Sequence, residues 1–161
     1  MHELIAALSD PDDQPARAYA ALERHVDRLI GVRLFTVTRF DPTADKVRRV
    51  YSNMPDAYPL AGEKPIGQDR WSDLVMRRGR TFVADTPVEF EDIFSDHELI
   101  VSLGCQSCLN LPVFVAGQFL GTLNCLNAAY HYTPERVTQA ELLKLPAAAV
   151  FLMQDRLEGR G

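Results

Sequence analysis

The chain has 161 residues, of which 47% are hydrophobic and 24% charged, and its formal net charge is −5. That length suffices to bury a sizeable core in one domain, and the composition is that of a globular chain, not a fibrous or disordered one. Nucleic acid or an anionic membrane is disfavoured as the main partner by the acidic balance. The nearest thing to a basic cluster is Arg77, Arg78 and Arg80 around Gly79, which reads as a solvated helix end.

Met1 to Leu8 lacks the basic start and the long apolar run of a signal peptide, and no stretch reaches the roughly 18 apolar residues of a membrane span. The expected location is therefore the cytoplasm. The three cysteines, Cys105, Cys108 and Cys125, are odd in number and clustered late, which excludes a secreted disulfide framework.

In chain order, Met1 to Leu8 is a short helix candidate broken by Ser9-Asp10-Pro11-Asp12-Asp13. From Pro15, Tyr19, Leu22, Val26, Leu29 and Ile30 recur at helical spacing, and Gly31 closes the run. Val32 to Phe40 is a strand by its β-branched and aromatic content. Asp41 to Asp45 is a turn, and Lys46 to Asn53 the hairpin partner. Met54 to Gly67, with three prolines and two glycines, reads as a loop over the surface or over a site. Gln68 to Arg78 is helical by pattern, with Gly79 as its stop. Thr81 to Asp85 is a short strand, and Glu89 to Leu103 holds a helix or two. Cys105 to Val115 and Gln118 to Asn127 are two strands joined at Ala116-Gly117. Thr133 and Pro134 form an N-cap and first-turn pair for a helix running to about Leu157, which Pro146 is expected to kink or break. This order predicts a single α+β domain over 1–161, with its core at about 15–157. A central antiparallel sheet of about five to six strands would carry the N- and C-terminal helices on one face, with loops and short helices on the other.

The last hairpin carries a family resemblance. Ser107-Cys108-Leu109-Asn110-Leu111-Pro112-Val113, then Gly117, then Leu120-Gly121-Thr122-Leu123, with Tyr132-Thr133-Pro134-Glu135 before the final helix, resembles the GAF domain family. The resemblance implies a sheet face that holds a small molecule, dimerisation through the terminal helices, and a sensory role in signalling. It names no ligand. No output domain is recognisable in the sequence, so the expectation is a domain acting alone, as a homodimer, or on a separate signalling partner. The alternative within the family is a free methionine-R-sulfoxide reductase or another thiol redox enzyme. That enzyme needs a carboxylate on the fourth strand and acidic residues on the fifth, where the matching positions look like Cys108, Asn124 and Leu126, none acidic, and no cysteine precedes Cys105.

Register decides which residues share the ligand face. A two-residue turn would put Ala116 at positive φ, which alanine disfavours, so a three-residue loop Val115-Ala116-Gly117 is predicted. It pairs Cys108 with Asn124 and Asn110 with Thr122. One face then bears Cys108, Asn110, Thr122, Asn124 and Leu126. The other bears Leu109, Leu111, Val113, Phe119, Gly121, Leu123 and Cys125 and packs on the helices, with Gly121 admitting a helix closely. The first face is assigned to the ligand because mid-sheet amides must be satisfied.

Tyr51 and Asn53 at the end of the second strand, Trp71 (the only tryptophan), and Phe94 among the connecting segments complete the candidate set. An apolar pocket with a few polar anchors is what small-ligand sites are made of. The predicted ligand-binding residues are thus Tyr51, Asn53, Trp71, Phe94, Cys108, Asn110, Thr122 and Asn124. No catalytic residue, metal site or cofactor is predicted. Cys105-x-x-Cys108 lacks a second ligand pair for zinc, no Cys-His pair is adjacent for a covalent tetrapyrrole, and all three thiols are expected to be buried and inert. His97 and His131 read as surface or satisfied histidines.

Overall fold

The computed structural model describes residues 1–60, 62–65, 67 and 69–159. Amphipathic spacing at the N-terminus gives α1 (His2–Ser9) and α2 (Ala16–Ile30). In α2 one stripe, including Tyr19, Leu22, Val26 and Ile30, is buried. Gly31, at φ 72°, ends α2 and releases the chain into β1 (Leu34–Asp41), which turns at Thr43–Asp45 into β2 (Lys46–Ser52). Within the segment expected to be all loop, Glu63–Pro65 forms β3 against the start of β2. The stretch after Asp69 coils into a single π-helical segment, Ser72–Arg77, before β4 (Phe82–Ala84). A 3₁₀ turn (Pro87–Glu89) and α3 (His97–Ser102) follow, then β5 (Ser107–Val115) and β6 (Gln118–Asn127).

The C-terminal helix is two helices, α4 (Pro134–Glu141) and α5 (Lys144–Leu157). Thr133 caps α4 through its side chain. The break falls at Leu142-Leu143, so Pro146 lies in the first turn of α5, where a missing N–H costs nothing and a kink is unnecessary.

All six strands pair antiparallel in the order β3-β2-β1-β6-β5-β4. One face meets the helices through Phe35, Val37, Leu109, Leu111, Val113, Leu123 and Cys125, all fully buried, with α4 and α5 against β5 and α1 packed on α2 and α5. Burying each leucine there is worth roughly 2 kcal/mol by area. The other face carries a smaller core under the connecting segments, with Leu34, Val75, Phe82, Phe90, Ile100, Cys108 and Leu126.

The hairpin register departs from expectation in an instructive way. The turn is the two-residue one, with Ala116 at φ 49° and Gly117 at φ 77°. One bulge between Val113 and Phe114 on β5, where Leu120 is the extra residue of β6, then shifts the pairing. Cys108 consequently opposes Leu126, and Asn110 opposes Asn124. The turn and the bulge together move the register by two, so parity survives and the inner residues keep their predicted faces. Beyond the bulge parity flips. Phe119 leaves the helix face and meets Phe40 and Phe114, while Leu120 packs toward the helices instead. Gly121 also serves a different purpose from the one expected. A Cβ there would lie 2.1 Å from the Thr38 carbonyl oxygen, so the close approach is that of the β1 backbone, not a helix.

Candidate functional site

A cavity of about 460 Å³ lies on the face opposite the helices. Its floor is the middle of β1, β6 and β5, where Leu34, Thr36, Thr38, Asn110, Asn124 and Leu126 point up between the strands. β2 contributes Val47 and Arg49, and the connecting segments close over it with Tyr58, Trp71, Phe94, Asp96 and Ile100.

The polar part of the floor is one hydrogen-bonded network across three strands. Trp71 Nε1 donates to Asn110 Oδ1 at 2.8 Å. An indole N–H can only donate, so it fixes which way the Asn110 amide faces. Asn110 Nδ2 then donates to Asn124 Oδ1 at 3.1 Å, and Thr122 Oγ1 donates to the same oxygen at 2.9 Å. Asn124 Nδ2 donates to Thr36 Oγ1 at 3.2 Å. Since the Thr122 proton is already committed, Thr38 is the donor in its 2.6 Å contact with Thr122. Asn110, Thr36 and Thr122 are buried, and such groups persist in a sheet only when bonded.

A second cluster forms the wall. Tyr58 donates to Asp96 Oδ2 at 2.8 Å, and the Arg49 guanidinium lies over the Tyr58 ring at 4.8 Å. Arg49 Nη1 donates to the Pro59 carbonyl at 3.1 Å, while its Nε is buried and makes no hydrogen bond with the described residues. Burial pushes the Arg49 pKa down and the Tyr58 pKa up, the latter aided by the Asp96 carboxylate.

Of the eight residues read from sequence, Trp71, Phe94, Asn110 and Asn124 line the cavity, and Thr122 braces Asn124 from beneath. Cys108 is on the correct face but fully buried in the small core beside the cavity. Tyr51 faces the helices instead, and Asn53 lies just beyond β2 against the β1 backbone. Tyr51 stacks on Tyr19 and donates to Glu23 of α2. Asn53 accepts from Phe35 N at 2.8 Å and donates to the Arg33 carbonyl at 3.1 Å, tying off the strand end. The cause is a bulge at Val50 in β2, since Tyr51 pairs with Val37 and Arg49 with Thr38. That bulge brings Arg49 into the cavity in place of Tyr51. The signal in the sequence is the break in alternation, with Arg48-Arg49 followed by Val50-Tyr51.

The three thiols are buried, and desolvation raises the pKa of each. His131 Nε2 lies 2.8 Å from the Ile30 carbonyl and holds the end of α2, and His97 Nδ1 lies 3.1 Å from the Phe94 carbonyl. No group of metal-ligating side chains occurs among the described residues. A wider groove, of about 660 Å³, runs beside β4 but contains none of the network's residues. Its Arg78 pairs with Asp73 at 2.7 Å. No helix among the described residues is long and apolar enough to cross a membrane.

This six-stranded antiparallel sheet, with helices on one face and connecting segments over a cavity on the other, defines an α+β fold class. The sequence model of the GAF domain matches residues 16–152, and the chain belongs to that family. Among solved structures it is similar to the phycocyanobilin-bound GAF domain of a cyanobacterial phytochrome. There the TM-score is 0.70 and the identity 14%, covering 99% of this chain and 95% of the other. It is also similar to a domain of a two-component sensor histidine kinase from Sinorhizobium meliloti, with TM-score 0.68 and 13% identity over 93% of this chain and all of that one. A GAF domain of a sensor histidine kinase from Bacillus halodurans gives 0.65 and 16%, covering 88% and 95%. No curated protein matches significantly.

Proposed function

We propose that this domain is a cytoplasmic sensory module that binds a small molecule in the cavity on the sheet face opposite its helices. The observation that carries this reading is the network running from Trp71 to Thr38. Thr36, Thr38, Asn110 and Asn124, braced by Thr122, form a polar floor beneath walls that set Val47, Trp71, Phe94 and Ile100 beside the Arg49, Tyr58 and Asp96 cluster. A sheet face meant only for packing has no use for two mid-strand asparagines, whose burial is costly unless every donor is placed. A binding module is favoured over a thiol enzyme by burial, which withholds all three cysteines from solvent and raises their pKa by desolvation. The same burial speaks against covalent attachment of a tetrapyrrole to any of these cysteines.

The transmitting face in this reading is the helical one, through a homodimer or a separate signalling partner. Leu142, Leu145 and Leu157 on the C-terminal helices and Ile5 on α1 are exposed, which supplies apolar surface for such an assembly.

Native mass spectrometry of the purified protein, with a thermal-shift screen of a metabolite panel, tests this function. A co-purified small molecule, or a midpoint that rises with concentration of one compound class, is the expected result. A bare mass and no shift with any member would contradict it.

A further inference from the structure

The hydrogens of the cavity floor do not come out even. Asn110 Oδ1, Asn124 Oδ1, Thr36 Oγ1 and Thr122 Oγ1 each already accept a hydrogen bond, and Thr38, at the outer end, donates. With the amide orientations set by Trp71, one N–H of Asn110, one N–H of Asn124 and the Thr36 hydroxyl proton have no acceptor among the described residues. Arg49 adds to this surplus. Its Nε is buried without a partner, and no carboxylate among the described residues forms an ion pair with it. Of the negative groups of the wall, Asp96 favours the Arg49 charge only at longer range, without a hydrogen bond or ion-pair contact to it. Asp96 accepts from Tyr58 at 2.8 Å, and Glu63 pairs with Lys46 at 3.1 Å. The cavity therefore offers unspent donors and one partly desolvated cation that has no contact ion pair among the described residues. Leaving these buried is costly, and an acceptor-only, negatively charged group would relieve the cost.

We propose that the ligand is a small organic carboxylate whose charged end sits on Asn110, Asn124, Thr36 and Arg49 and whose apolar body lies against Trp71, Phe94 and Ile100. This inference rests on the reading of the cavity as a ligand site. Arg49 is the specificity-determining residue, because a planar guanidinium on the strand beside the amides matches a carboxylate better than any neutral acceptor. Gly62 makes room for it, since a Cβ there would stand 3.0 Å from Arg49 Nη1.

The single tryptophan makes the test direct, because Trp71 gives the only indole N–H resonance in a ¹⁵N-labelled sample. The full chain is titrated with matched sets of short aliphatic and aryl-acetic compounds, each as carboxylate, primary amide and amine. The expected result is a saturable shift of the Trp71 signal with at least one carboxylate, about tenfold tighter than with its amide and weaker still with its amine, as one charge-assisted contact implies. Arg49→Met should bring carboxylate and amide affinities within about threefold of each other, and Thr36→Val should weaken carboxylates with the charge preference intact. If amides or amines bind as tightly as carboxylates, the carboxylate inference is overturned while the ligand site stands. If no compound of any charge moves the Trp71 signal, the site reading falls with it. Carboxylate selectivity in the unaltered protein needs no variant, so misfolding of Arg49→Met does not blunt the test.

Discussion

Arg39 and Arg49 stand on neighbouring strands of one sheet, on opposite faces, and their surroundings could hardly differ more. Arg39, 3% exposed, is used to the last donor. Its Nε donates to the Leu120 carbonyl and its Nη1 to the Phe151 carbonyl, each at 3.0 Å, while Nη2 makes both contacts with Asp155, at 2.7 and 2.8 Å. Its guanidinium also lies 4.5 Å from the centre of the Phe151 ring. It ties α5 to the sheet and has nothing left for a ligand. Arg49 is half-buried with donors unspent. A buried charge whose donors are all committed is architecture, and one with donors in hand facing a cavity is what the proposed ligand site would use.

Changes at the seam between the two faces should do most damage. Gly121 sits at φ 151° in the bulge that sets the faces, and any side chain there meets the β1 backbone, which cannot swing aside. Gly121→Ala is expected to cost about 4 kcal/mol or more, read by urea unfolding. Arg39→Met leaves a buried acceptor set without its cation, for a loss of roughly 3 kcal/mol. Arg49→Met, the same substitution across the sheet, should change stability by less than about 1 kcal/mol, since it removes an incompletely bonded guanidinium. Equal losses for the two arginines would break the contrast.

Smaller effects sharpen it. Trp71→Phe removes the donor that orients Asn110, and a loss of about 1 kcal/mol in chemical unfolding is expected. Alkaline pH should weaken the fold, with the following sign. Cys108 and Cys125 are held above their ordinary value of 9.0, and Tyr51 and Tyr58 above 10.0, because burial disfavours the charged forms. The unfolded chain therefore releases protons first. The stability these groups lend is complete below pH 9 and declines as pH rises beyond it, first through the thiols and then through the tyrosines. Unfolding midpoints between pH 8 and 11 check this, and a flat profile would show the groups to be solvated.

How much of this was legible in the sequence follows from periodicity. Leu109, Leu111, Leu123 and Cys125 alternate cleanly, so the helix face could be read, and Asn110 and Asn124 fell on the cavity face by parity alone. Two bulges defeated the remainder. The one at Leu120 sent Phe119 to the wrong face, and the one at Val50 put Arg49 where Tyr51 was expected. Ala116 took the positive φ that its side chain disfavours, a local cost accepted because the inner pairs of β5 and β6 fix the register. Tyr58 and Asp96 come from segments without period, and only the folded chain brings them beside Arg49. Their sequence signal was no more than an aromatic and an acid in a variable region.

The central claim is that the two faces divide the work, one packing and one binding. Chemical-shift mapping of the labelled protein with a compound that raises its melting midpoint tests this most directly. The account predicts shifts concentrated at Thr36, Trp71, Asn110 and Asn124, with Leu111, Leu123 and Phe151 scarcely moved. Shifts centred on the α2 and α5 face, with the Trp71 indole silent, would contradict it.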